Sequence, residues 1–354
     1  MSRETDDIVL PDQLEGTPHP RERLDLVGHG EAQGAILDTL QSGRLPPAWL
    51  IGGPPGIGKA TLAYRIARRL LALGPGRIET VTSLDVDPSD PATRKVAALS
   101  HPNLAVLRRT MSEDGKRLLT EISAKAARRA VDMFGSTSVD GSFRIAIIDS
   151  AEDLNAQSAN ALLKVIEEPP PRALFLIVSH APQRVLPTIR SRCRRLMLRP
   201  LSGTHVSAVI DSLGSPWTDH PPEVRADALR LGDGSVRRTL ELLDQDTIAF
   251  VDRVARMLDA LPRTDLKATH ALAETFGRRG AEERFDLVLD TVHRWVGHRL
   301  ERDSARGAAR LAPLVEVCDK VARHAREIDI YNLDRRPLVL ALFDDLADAV
   351  RRTA

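Results

Sequence analysis

Ala48-Trp49-Leu50-Ile51-Gly52-Gly53-Pro54-Pro55-Gly56-Ile57-Gly58-Lys59-Ala60-Thr61 is the stretch that decides the fold. Its first four residues form a short apolar run that stops at a glycine pair, as a buried strand does. Residues 59–73 then follow helical spacing, with Leu62, Ile66, Ala67, Leu70 and Leu71 on one side. Between them, Gly53 to Lys59 reads G-x-x-x-x-G-K, the phosphate-binding loop pattern, in the strand-loop-helix context that gives the pattern meaning. Glycines let backbone N–H groups turn inward around phosphate oxygens, the helix start adds positive dipole, and Lys59 supplies a point charge. Gly53, Pro54, Pro55, Gly56, Ile57, Gly58, Lys59, Ala60 and Thr61 are the candidate nucleotide-binding residues.

The same alternation runs outward from the loop. A helix is expected at 30–42, strands at 104–107, 144–148 and 174–178, and helices at about 117–134 and 156–167. Residues 74–100 read as loop, with Pro75, Pro88 and Pro91. Apolar strands without polar alternation argue for a parallel sheet covered on both faces. After Pro200 the pattern becomes purely helical: 202–213, 221–232 and 235–244, then 247–261, 266–278, 281–300, 308–328 and 335–352. The expected domains are a flexible leader over 1–21, an α/β P-loop domain over 22–199, a small helical lid over 200–245 and an all-α domain over 246–354.

Composition narrows the classes. The 354 residues are 42% apolar, and 50 basic against 49 acidic side chains leave a net charge of +1, which argues against a dedicated nucleic-acid-binding module. Only seven cations are lysines, against 43 arginines, a ratio that a GC-rich genome gives. Two cysteines, Cys193 and Cys318, make neither a disulfide framework nor a four-cysteine zinc site, and point to a reducing cytoplasm. The acidic N-terminus does not read as a signal peptide, and no apolar run approaches the ~20 residues of a membrane span.

The nucleotide motifs are incomplete in two places. A hydroxyl residue should follow the loop lysine and ligate Mg²⁺, but Ala60 stands there; Thr61 lies about 100° further round the helix. Arg144-Ile145-Ala146-Ile147-Ile148-Asp149 is a buried strand ending in the carboxylate that helps hold Mg²⁺ in P-loop proteins. The next residue, where hydrolysing relatives carry the glutamate that orients water, is Ser150, which is no base by itself at neutral pH. Glu152 and Asp153 lie close by, as substitutes or as helix-capping carboxylates. Together the defects describe a nucleotide site that has lost its chemistry.

Asn160-Ala161-Leu162-Leu163-Lys164, then Glu167-Glu168-Pro169-Pro170, then Ser191-Arg192-Cys193 resemble the AAA+ clamp-loader subunits of bacterial DNA polymerase III. Val27-Gly28 and Gly234-Ser235-Val236-Arg237 belong to the same series, and the resemblance runs from about Leu24 to Leu243. It implies an α/β AAA+ P-loop domain, a helical lid and a C-terminal collar domain that builds a ring. Motor subunits of that family, gamma and tau, keep the hydroxyl and the Asp-Glu pair; delta-prime subunits do not hydrolyse ATP. Ala60 and Ser150 put this chain on the delta-prime side, without ATPase activity of its own but as part of the polymerase holoenzyme. The resemblance assigns Arg192 as an arginine finger acting in trans on a neighbouring motor subunit, and Arg237 and Asp149 to the chain's own degenerate nucleotide site. ATP or ADP is expected to bind weakly or not at all, with Mg²⁺ only alongside nucleotide.

Family members commonly carry a four-cysteine zinc module after the loop helix. Residues 60–192 contain no cysteine, so no zinc is expected. The expected partners are gamma/tau and delta subunits, with the sliding clamp and primer-template DNA met inside the complex. Ser179 and His180 fall at a polar sensor position, while Cys193, Cys318, Trp49 and Trp295 read as packed residues. Two alternatives stand beside this reading: an ATP-hydrolysing gamma/tau-type motor, and a P-loop kinase or metabolic NTPase, which leaves Ser191-Arg192-Cys193 unexplained.

Overall fold

In a computed structural model, residues 13–111, 119–135, 141–277, 282–331 and 333–353 are described. The first compact unit ends at Leu243 and the second begins at Asp244. In the first, α1 (Gly30–Gln41), β1 (Ala48–Gly52), α2 (Lys59–Leu73), α3 (Pro91–Ala97), β2 (Leu104–Leu107), α4 (Ala124–Gly135), β3 (Arg144–Ile148), α5 (Ala156–Glu167), β4 (Ala173–Ser179), α6 (Pro187–Arg190) and β5 (Arg194–Met197) follow in order. Helices α7 (Gly203–Leu213), α8 (Pro222–Gly232) and α9 (Val236–Glu241) complete it.

All five strands are parallel, in the order β2-β3-β4-β1-β5. Successive side chains enter different cores. Trp49 and Ile51 of β1, Ile145 and Ile147 of β3 and Leu174, Leu176 and Val178 of β4 pack toward α1, α2 and α3. Leu50, Ala146, Ile148, Phe175 and Ile177 pack toward α4, α5 and α6. Both faces being covered, the strands read as unbroken apolar runs, and the parallel sheet is sandwiched between two layers of helices.

Several local expectations need correction. Residues 91–97 are helical: Pro91 opens α3 and the Asp90 carboxylate accepts the Ala92 N–H. The helix expected from 117 starts at Ala124; Ile122 instead pairs with Leu154 in an isolated bridge, and 117–118 lie outside the described residues. Strand β5 escapes the sequence pattern because it is an edge strand with exposed Arg194, Arg195 and Met197, and only Leu196 buried. The described part of the expected leader, from residue 13, is packed. His19 is fully buried with its ring edge-on to Tyr64 at 5.9 Å, and its Nδ1 accepts the Arg21 N–H. Arg68 of α2 donates to the carbonyls of Arg21 and Arg23, and Arg65 to that of Leu24, so this segment is strapped along α2.

The second unit is all helix: α10 (Gln245–Asp259), α11 (Leu266–Glu274), α12 (Glu282–Arg302), α13 (Ala308–Tyr331) and α14 (Arg336–Thr353). Its core is built from Phe250, Val254, Phe276, Phe285, Val292, Leu314, Val321, Leu342 and Phe343. Trp295 is only half-buried there, its indole N–H donating to Asp259. Among the described residues no helix is long and apolar enough to cross a membrane.

Candidate functional site

The loop after β1 sits where the sheet's C-terminal edge meets the start of α2. Gly56 and Gly58 take left-handed conformations (φ 72° and 95°), which turn the peptide N–H groups toward the helix axis. The first backbone bond into α2 runs from Leu62 N–H to Gly58 O, leaving the first-turn N–H groups pointing out of the helix start. Lys59 is 3% exposed, and its Nζ donates to Pro54 O at 2.5 Å. Burial pulls its pKa down to about 8, against the opposing pull of Glu152 and Asp149. From behind, His29 Nε2 donates to Ile57 O at 2.7 Å, and burial lowers the pKa of this imidazole.

A cleft of about 510 Å³ opens over this loop. Pro55 to Thr61, Asp149 and Arg237 line it, so most of the residues singled out from sequence converge. Gly53 and Pro54 do not line it; Gly53 (φ 145°) passes under the Leu198 carbonyl, which an added Cβ would meet at 2.5 Å. Arg108 and Arg109 (following β2), Glu152, Asp153 and His180 also face the cleft. Arg108 and Arg109 carry no motif, and only the pairing of β2 with β3 brings them here.

Beyond Asp149 the chain turns sharply. Ser150 adopts a left-handed conformation (φ 60°), and a 3₁₀ turn over Ala151–Asp153 swings two carboxylates over the sheet edge. Glu152 Oε1 accepts the His180 N–H at 2.8 Å, and Asp153 pairs with Arg109 at 3.1 Å. Burial pushes the Asp153 carboxyl up to about 6, Arg109 opposing it. The His180 side chain stays open to the cleft, yet the enclosing walls, and then the Lys59 ammonium, hold its pKa below the usual value and keep it neutral at pH 7.

The lid helix touches the loop directly. Val236 N–H donates to Gly56 O and the Ser235 hydroxyl to Pro55 O, both at 3.0 Å. The same hydroxyl accepts the Arg238 N–H and caps α9. A Cβ on Gly56 would lie 2.4 Å from Ser235 Oγ and 2.6 Å from Arg237 Cβ, so only glycine permits this approach.

These residues fit a nucleotide's phosphates better than they fit its metal. The glycine cradle, the helix start and Lys59 are in place. Ala60, however, presents no oxygen where α2 opens, which leaves Asp149 as the remaining ligand of the usual set, and Ser150 presents no carboxylate to orient water. Among the described residues no group of three or more His, Cys, Asp or Glu side chains is placed to hold a metal ion.

Arg192 lies elsewhere. It precedes β5, whose Arg194 pairs with Trp49 and whose Met197 pairs with Gly52. At ~3.3 Å per residue, Arg194 is already roughly 13 Å below the level of Gly53, and Arg192 stands in the turn before it. Its guanidinium is exposed, donates to Thr188 O at 2.8 Å and pairs with Glu167 at 2.7 Å, which joins two of the sequence motifs. Cys193 is packed beside it, its thiol bonded to Ile189 O and pushed up to about 12 by burial.

The family model for the DNA polymerase III delta subunit matches residues 29–202. The DNA polymerase III subunit delta' of Pseudomonas aeruginosa is 34% identical over 256 residues, 72% of this chain and 73% of the relative. DNA polymerase III subunit tau of Salmonella typhimurium is 29% identical over 310 residues, 86% of this chain but 44% of the relative. Subunit gamma/tau of Mycobacterium tuberculosis is 30% identical over 303 residues, 80% of this chain and 48% of the relative, so the chain spans less than half of these tau-type relatives. A DNA polymerase III gamma-subunit-related protein of Thermotoga maritima aligns over 89% of this chain and 99% of that one, at 17% identity and a TM-score of 0.37, a likeness too loose to carry an argument. On the delta' relative and the family model, the chain belongs to the clamp-loader family of bacterial DNA polymerase III.

Proposed function

We propose that the chain is a delta-prime-type stator of the clamp loader. It hydrolyses no ATP itself and supplies Arg192 in trans to the nucleotide of a neighbouring gamma/tau motor subunit. Within the assembled complex, with delta as a further partner, it helps place the sliding clamp on primer-template DNA in the cytoplasm, and its last five helices act as the ring-forming collar. The observation that carries this reading is a separation. One cleft holds the loop lysine but lacks both the metal-ligating hydroxyl and the water-orienting glutamate. The family's finger arginine stands exposed at the far edge of the sheet, beyond reach of that cleft. A guanidinium there suits another subunit's phosphates, being planar, always charged and bidentate.

The test is reconstitution with motor subunits. Arg192→Ala should lower the DNA-stimulated ATPase of the site it faces by a large part of the ~10³–10⁵ that trans-acting arginines supply. The isolated variant should melt within about 4 °C of the parent, because the exposed Arg192–Glu167 pair contributes at most ~1 kcal/mol. An unchanged ATPase overturns the assignment. The motor-subunit reading keeps one observation in its favour: Glu152 lines the cleft, its Oε1 held by the His180 N–H. Hydrolysis by the isolated chain, abolished by Lys59→Ala, would establish that reading instead.

A further inference from the structure

The cleft lacks part of its metal site but is rich in arginine. Five cations from four separate parts of the fold line it: Arg23 from the segment before α1, Lys59 from the loop, Arg108 and Arg109 from the segment after β2, and Arg237 from the lid. Lys59, Arg109 and Arg237 all lie close enough to His180 to act on it electrostatically, so they converge on one volume. We propose that this cleft binds nucleoside di- and triphosphates without a divalent cation, arginine guanidinium groups taking over the charge neutralisation that Mg²⁺ gives in hydrolysing relatives. The proposal rests on reading the cleft as a nucleotide site, and does not depend on the role of Arg192.

The energetic case turns on how firmly the cations are held now. Arg109 pairs with Asp153 at 3.1 Å, and Arg237 with Glu241 at 2.9 Å. Their side chains are 35% and 43% exposed, in the range where an ion pair is worth ~0–1 kcal/mol. Arg108 contacts His19 Nε2 at 3.3 Å. Charge-assisted bonds to phosphate oxygens are stronger, ~1.5–3 kcal/mol each, and the guanidinium fork can make two at once. Exchange of partner is therefore favourable for both arginines. The cleft carboxylates do not cancel this. Asp153 is half-buried, which raises its pKa, and losing Arg109 pushes it further toward the uncharged form; Glu152 has one oxygen engaged by the His180 N–H, and Asp25 pairs with Arg23 at 3.5 Å. Asp149 faces Lys59, whose charge it helps to keep. His180, neutral at pH 7, adds a donor without adding charge.

The test is an equilibrium titration of the full chain with fluorescently labelled ATP and ADP, in excess EDTA and in excess Mg²⁺. Saturable binding in EDTA, with a Kd within about threefold of that in Mg²⁺, is expected. In EDTA, Arg109→Ala and Arg237→Ala should each weaken binding roughly tenfold or more, the loss of one charge-assisted phosphate contact. A melting curve checks that both variants are folded. Asp153→Asn, which frees Arg109, should tighten binding in EDTA. Arg77→Ala, an exposed arginine outside the cleft, should leave it unchanged. Binding that requires Mg²⁺, no binding under either condition, or binding indifferent to both cleft arginines overturns the proposal. None of those results touches the stator reading, which fails only on ATP turnover by the isolated chain or on an inert Arg192→Ala.

Discussion

Substitution of Gly56 by alanine probes the point where lid and loop meet. The residue has φ 72°, and an alanine held there costs ~1–2 kcal/mol in backbone strain alone. Its Cβ would stand 2.4 Å from Ser235 Oγ and 2.6 Å from Arg237 Cβ, too close to keep α9 where it is. Backing the lid away breaks Val236 N–H to Gly56 O and Ser235 Oγ to Pro55 O, each worth ~1 kcal/mol. The sum is about 3–4 kcal/mol. For a unit of this size a kilocalorie moves Tm by ~2–4 °C, so the first unit should melt roughly 6–16 °C lower. Hydrogen exchange at the Val236 amide adds a local readout. Gly34→Ala is the counterpart: it lies inside α1 with nothing within 4 Å of an added Cβ, and should raise stability by ~0.5–1 kcal/mol. A Gly56→Ala protein with unchanged Tm and unchanged Val236 protection would refute the contact between α9 and the loop.

Other consequences concern protons and thiols. Lys59 titrates near 8 in the folded chain against 10.5 ordinarily, so nucleotide affinity in EDTA should fall as pH rises through about 8. The folded chain then binds fewer protons than the unfolded one between about 8 and 10.5, and nucleotide-free stability should gain with pH across that window, a gain absent in Lys59→Met. Asp153 behaves oppositely. Raised from 3.8 to about 6, it makes the folded chain bind more protons in that interval, so its contribution to stability declines as pH rises from about 4 to 6, and Asp153→Asn should flatten that slope in denaturant titrations. Cys193 and Cys318, pushed up to about 12 and 11, should resist thiol reagents at pH 8 and both react on unfolding; rapid labelling of the native chain would contradict their packing.

Much of this architecture is legible in the residue pattern. Strands β1, β3 and β4 are central, so both faces are apolar and their runs stand out; α2 and α5 carry clean helical spacing. Edge position hides β5, since three of its four residues face outward. The packing of residues 13–24 is invisible because it depends on Arg65 and Arg68, some 40 residues away, donating to the backbone carbonyls of Arg21, Arg23 and Leu24. For the cleft, contiguous motifs announce Lys59, Asp149 and Arg237. Arg108, Arg109 and Asp153 have no such signal, because strand order and the left-handed turn at Ser150 deliver them. The Glu167–Arg192 pair shows the converse: two motifs visible separately turn out to be one contact.

The strand order also sets a timetable for the nascent chain. β1 carries the phosphate loop, yet its neighbours are β4 and β5, which leave the ribosome about 125 and 145 residues later. At ~5–20 residues per second this apolar strand waits roughly 6–25 s for its first partner. Its hydrogen-bonding edges stay open throughout, and Trp49, Leu50 and Ile51 form a stretch to which chaperones or a second nascent chain can attach. Substitutions that slow translation between residues 52 and 173 should therefore reduce the yield of soluble chain more than the same slowing placed after residue 197.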